Sequence, residues 1–191
     1  MTRVTVIGNG NMGQAISAIA TKAGSSVQVL DTGDAGTAVT GDVVVLAVPY
    51  PALSDVVEAR GAELAGKIVV DVTNPVNFET FDSLVVPSDS SATAQLAQQL
   101  PQSRVLKAFN TTFASTLASG TVGDDPTTVL VAGDDAEAKA QLVDIVSAAG
   151  LKAVDAGALR RARELEAMGM LQITLAAAQK VPFTGGFAVV A

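Results

Sequence analysis

The chain has 191 residues, 49% of them apolar and 16% charged, with a net charge of −7. That acidic balance would repel a phosphate backbone, so nucleic acid is not an expected partner. Cysteine and histidine are both absent, which excludes disulfides, thiol chemistry, thiolate or imidazole metal sites and a serine–histidine triad, and no metal site is expected.

The apolar fraction fits a globular α/β chain with a core of its own. The first strand begins almost at Met1, without a charged leader and apolar signal segment. No run of about 18 apolar residues suggests a membrane span. A soluble, cytoplasmic protein is therefore expected.

Val4 to Ile7 reads as a strand, followed by Gly8-Asn9-Gly10-Asn11-Met12-Gly13 and a helix to about Ala23. Val27 to Leu30 is a second strand, closing on Asp31. This is the strand–glycine turn–helix–strand pattern of dinucleotide binding. Gly8 allows the tight turn, Gly10 lets a diphosphate approach the backbone, and Gly13 lets the helix pack on the sheet. The segment 31–41 carries three glycines and no helical period, so a loop is expected, with an open adenosine side.

The run 42–48 is a buried strand stopped by Pro49, and a helix follows from Ala52 toward Leu64. Lys67 to Val72 is the fourth strand. Residues 76–86 read as irregular, anchored by Phe78, Phe81 and Leu84. Ser90 or Ser91 caps a helix to Leu100. Strands follow at Arg104–Ala108 and Thr127–Ala132, with a short helix between them over Ala114–Ala118. A helix to Ala149 and a short strand over Leu151–Val154 come next. Ala158 to Lys180 reads as one long helix, charged at first and apolar all round from Ala167, hence buried under the sheet edge or against a second copy. Gln172, Thr174 and Gln179 interrupt it too often for a membrane span. The tail 184–190 is expected to cross the body as a strand. The expected fold is a Rossmann-like, doubly wound, mostly parallel sheet, with a dinucleotide-binding unit over 1–155. The C-terminal helix and tail, 156–191, pack on that unit or build a homodimer.

In such sheets ligands bind beyond the carboxyl ends of the strands. Those ends carry the glycine turn, Asp31 with Thr32, Ala47-Val48-Pro49-Tyr50, Asn74-Pro75 and Phe109-Asn110-Thr111-Thr112. Ala47, Val48 and Pro49 would flank the ribose and diphosphate, while Asn74, Asn110 and Thr111 are candidates beside the nicotinamide. Asp31 would accept hydrogen bonds from both adenosine ribose hydroxyls, and no basic residue lies between it and Gly41. That pattern favours NAD(H). With no histidine, one tyrosine (Tyr50) and Lys107 inside a strand and expected to point away, a proton donor for carbonyl reduction is hard to find. Direct hydride exchange between two bound rings needs positioning instead.

Gly8–Gly13, Ala47-Val48-Pro49, Asp71-Val72-Thr73-Asn74-Pro75, Ser90-Ser91-Ala92, Lys107-Ala108-Phe109-Asn110-Thr111, Val131-Ala132-Gly133-Asp134-Asp135 and Asp155-Ala156-Gly157 fall in order. Together they resemble the NADPH-dependent oxidoreductases of the coenzyme F420 type and the related cytoplasmic domain of membrane metalloreductases. The resemblance implies NADP(H), with hydride exchange to a flavin or deazaflavin (F420-like) small-molecule partner above Asn74 and Asn110. Where the family has a serine–arginine loop for the 2′-phosphate, this chain has Asp31-Thr32-Gly33-Asp34. The alternatives are a small imine or carbonyl reductase and a non-catalytic NAD(P)-binding redox sensor.

Overall fold

The structure is a computed structural model and describes residues 1–190. In chain order it runs β1 (Arg3–Ile7), α1 (Asn11–Lys22), β2 (Ser26–Leu30), β3 (Val43–Leu46), a 3-10 turn (Tyr50–Ala52) and α2 (Leu53–Leu64). It continues with β4 (Ile68–Asp71), α3 (Ala92–Gln99), β5 (Arg104–Lys107), α4 (Ala114–Ser119), β6 (Thr121–Val122) and β7 (Asp125–Pro126). The last elements are β8 (Thr128–Gly133), α5 (Ala136–Ala148), β9 (Lys152–Gly157), a second 3-10 turn (Leu159–Arg161) and α6 (Ala162–Ala177).

The main sheet has seven strands in the order β2-β1-β3-β4-β5-β8-β9. All neighbours are parallel except β5 with β8. The strands are short and apolar on both faces because helices cover both faces. Val43 and Val45 point toward α1 and α5, while Val44 and Leu46 point toward α2 and α3. This period of two divides the core into two apolar layers with the sheet between them. The doubly wound, Rossmann-like architecture is the expected one. Strand order reverses about β1, so the crevice opens over the ends of β1 and β3.

Residues 31–42 form a connection with neither helix nor strand. Gln28 holds it by donating to the Ala38 carbonyl at 2.9 Å and accepting from the Thr40 amide at 3.0 Å. From α2, Arg60 donates to the carbonyls of Thr37 at 2.8 Å and Asp34 at 2.5 Å. Glu63 accepts from the Val39 amide at 2.7 Å.

Four expectations need correction. Phe78 and Phe81 do not anchor the 76–86 segment: both are exposed and meet edge to face, while the segment is tied by a Val76–Leu84 bridge. The last strand extends to Gly157, because β8 gives it a parallel partner along that length. The C-terminal helix is shorter and one-sided. A 3-10 turn precedes it, its buried positions are Ala162, Leu165, Glu166, Gly169, Gln172 and Ala176, and Leu171 is half exposed. The tail forms no strand among the described residues. It turns through Pro182–Gly185, and Phe183 packs on Phe113.

Candidate active site

The glycine turn has the geometry its residues demand. Gly8 sits at φ +111°, and a Cβ there would strike the Ala47 carbonyl oxygen, because β3 runs alongside. A Cβ on Gly13 would strike the Gly8 carbonyl, so that glycine sets the approach of α1 to the sheet. Gly10 begins α1 and has open space where a side chain would lie. The amides of Asn11, Met12 and Gly13 make no hydrogen bond among the described residues, while Gln14 already donates to Gly10. Free amides at a positive helix end, with room beside them, fit a dinucleotide diphosphate. Asn9 stands exposed in the same turn.

Asp31 and Thr32 follow β2 on the exposed connection, and the Asp31 carboxylate accepts from the Gly33 amide at 2.8 Å. Ala47, Val48 and Pro49 follow β3 directly beside Gly8. Tyr50 lies elsewhere: its hydroxyl donates to Gln95 on α3 at 3.2 Å, and it lines a separate cavity of about 200 Å³. Burial, and then the carboxylates of Glu166 and Asp71, push the Tyr50 hydroxyl above its usual pKa.

A cleft of about 410 Å³ lies between the start of α1, the ends of β4 and β5, and α6. Asn11, Met12, Asn74 and Asn110 all line it. Asn74 and Asn110 are clasped together. Asn74 donates to the Asn110 carbonyl at 2.8 Å, and Asn110 donates to the Asn74 side-chain oxygen at 2.9 Å and to the Leu165 carbonyl at 2.8 Å. Phe109, buried and left-handed at φ +64°, turns the chain so that Asn110 meets Asn74. Gly169 lets α6 close down, since a Cβ there would strike the Asn74 side chain. Pro75 follows Asn74 and its carbonyl accepts from Val85 at 2.8 Å. Thr111 is buried, and its neighbour Thr112 is the threonine that lines the cleft.

Beneath the two asparagines is a charge cluster that the sequence reading missed. Lys107, expected to point away from the site, is fully buried with its Nζ 3.0 Å from both Asp71 and Glu166. It also donates to the Thr73 carbonyl at 2.6 Å. Glu166 reaches across from α6 to accept from the Ala92 and Thr93 amides at 2.9 and 3.2 Å, so it holds the start of α3. The Thr93 hydroxyl lies 2.8 Å from Asp71 and 3.2 Å from Glu166. One signal was present in the sequence: Asp71 and Lys107 are opposite charges at the last positions of two apolar strands, and β4 and β5 pair them in register. Glu166 gave none, because it is surrounded by solvated charges in the sequence. No cluster of metal-ligating side chains occurs among the described residues.

The profile of the family described as NADP oxidoreductase, coenzyme F420-dependent, matches residues 27–75. Over 151 residues the chain is 33% identical to the F420-dependent NADP reductase of Methanocaldococcus jannaschii, covering 76% of this chain and 66% of that one. The chain belongs to the coenzyme F420-dependent NADP oxidoreductase family. Membership places it among the NADP-dependent oxidoreductases. It is also 38% identical over 120 residues to the metalloreductase STEAP3 of Rattus norvegicus, spanning 63% of this chain but only 23% of that protein. A crystal structure from Arthrobacter sp. FB24, provisionally described as an F420-dependent NADP reductase, superposes with a TM-score of 0.85 at 24% identity and full coverage of both chains. No helix among the described residues is long and apolar enough to cross a membrane.

Proposed function

We propose that the protein passes hydride between a nicotinamide lying over the glycine turn and a planar flavin- or deazaflavin-type ring in the cleft beside Asn74 and Asn110. The observation that carries this reading is the character of the cleft. It adjoins the free amides of α1, yet none of its lining residues is titratable. Reduction of a carbonyl or imine needs a proton donor at the reacting atom, and the cleft offers none. Ring-to-ring exchange needs two rings held face to face. The dihydronicotinamide supplies the hydride, and the acceptor ring takes it up with one solvent proton. The chain's residues do the holding: the α1 amides take the diphosphate, Met12 and Val72 wall the ring, and the asparagine clasp fixes the floor.

Family membership supports NADPH as the nucleotide, and Asp31 supports NADH as a second donor. A fluorescence titration with each nucleotide, followed by turnover at 340 nm with a panel of flavins and deazaflavins, tests the reading. Oxidation of either nucleotide by such a ring is expected. Tight nucleotide binding with no turnover across the panel would leave a sensor instead. The outward side of α6, with Leu171 half exposed, supports a homodimer through that helix. Light scattering of the wild type against Leu171→Glu checks this, with a fall from dimer to monomer expected.

A further inference from the structure

We infer that Gln172 forms a subsite that reads the cyclic imide edge of the acceptor ring, the N–H flanked by carbonyls that flavins and deazaflavins share. The inference rests on the ring-to-ring reading above and names the group by which the second ring is held.

Gln172 is on the inward face of α6, one turn after Gly169, and it lines the cleft. It is 3% exposed, and its Oε1 is buried without a hydrogen-bond partner. The Oδ1 of Asn110, which lines the same cleft, is in the same state. A buried carbonyl left without a partner is unfavourable, so the Gln172 acceptor calls for one. The orientation of Asn110 is settled by its neighbours. Its amide nitrogen meets the Leu165 carbonyl, which only accepts, so the unpartnered group is the oxygen. Gln172 has no such fixed bond among the described residues, so its carboxamide presents a free acceptor and a free donor side by side. Gly186 in the tail lies near it, at a distance where a Cβ would be in ordinary van der Waals contact with the carboxamide.

That inventory is specific. An adjacent N–H and C=O, as in a cyclic imide, satisfy both ends of the Gln172 carboxamide at once. An imine, an aldehyde or a ketone has no such pair. The other walls suit a flat ring. Phe183 lines the mouth while 58% exposed, and its ring is 5.1 Å from that of Phe113. The Ser115 hydroxyl donates to the Phe183 carbonyl, which ties the tail to α4. An exposed aromatic pinned over an apolar cleft is a stacking face.

The experiment follows NADPH oxidation at 340 nm with riboflavin and 5-deazariboflavin, each against its N3-methyl counterpart, which lacks the imide N–H. In the wild type, N3-methylation is expected to raise KM about tenfold with kcat within twofold. Gln172→Met keeps the side-chain length and removes both polar groups. It is expected to raise KM for the unmethylated rings about tenfold and to erase the difference between methylated and unmethylated rings. Equal KM values for both forms in the wild type would overturn the subsite while leaving the hydride reading intact. A Gln172→Met protein that still discriminates would do the same. No turnover with any of the four rings would overturn the hydride reading, and the subsite with it. Should Gln172→Met fail to fold, the wild-type comparison alone decides.

Discussion

Replacing Lys107 by methionine tests whether the buried cluster holds α6 in place. Methionine fills the aliphatic volume and removes only the ammonium. Asp71 and Glu166, each fully buried, then share the Thr93 hydroxyl with no cation 3.0 Å from either. Breaking a buried pair by removing one partner costs about 3–5 kcal/mol, because the other charge stays desolvated. Here two carboxylates are left and the Thr73 carbonyl loses its donor, so the upper end, about 5 kcal/mol, is expected. That approaches the whole stability of many domains. Urea unfolding followed by far-ultraviolet circular dichroism measures it. Adding Glu166→Gln should recover part of the loss at pH 8. A loss under about 1 kcal/mol would refute the argument that the ammonium neutralises a desolvated acidic pair.

Gly8→Ala places a Cβ at φ +111° against the Ala47 carbonyl, so it should lower stability by about 1–3 kcal/mol and abolish nucleotide binding; an unchanged melting curve and titration would contradict the turn geometry. Asp31→Ala should weaken NADH by about 1–2 kcal/mol, or roughly 5–30-fold in Kd, without weakening NADPH; equal effects on both nucleotides would remove the ribose contact. Tyr50 is the only tyrosine, so absorbance at 295 nm reads it alone. Its midpoint should lie above 10, since burial first and then Glu166 and Asp71 disfavour the phenolate. A raised folded pKa means this group's stabilising contribution is present below its unfolded value and is lost as pH rises through the folded one. A midpoint at or below 10 would contradict the packing against α3.

The layered sheet and the glycine turn were legible because backbone rules alone impose them. β-branched runs buried on both faces, and glycines where a Cβ would strike a neighbouring strand, leave a mark in any single segment. The pairing of Asn74 with Asn110 was half legible: both were placed at strand ends, but their clasp depends on the left-handed Phe109. Lys107 left a trace only as the opposite charge to Asp71 at a strand end, and Glu166 and Gln172 were illegible for one shared reason. Each is polar, buried and satisfied or left open by residues dozens of positions away, so no local period announces it. The apolar stretch of α6 misled for the converse reason. Its inward face is set by Glu166, Gly169 and Gln172, which leaves Leu171 half outside.

The Arg60 guanidinium, 7% exposed, gives the 31–42 connection two sides with separate duties. It grips backbone carbonyls at Asp34 and Thr37, so the side chains of those residues are not what it reads. The path of the loop is therefore fixed from below, whatever side chains its upper surface displays. Asp31 and Thr32 belong to that upper surface. On the proposed reading of Asp31, donor preference becomes an interchangeable face on a fixed mount: substitutions that trade a ribose contact for a phosphate contact would accumulate there without disturbing the mount, and a related chain would exchange one dinucleotide for the other by a few surface changes while its sheet stays the same.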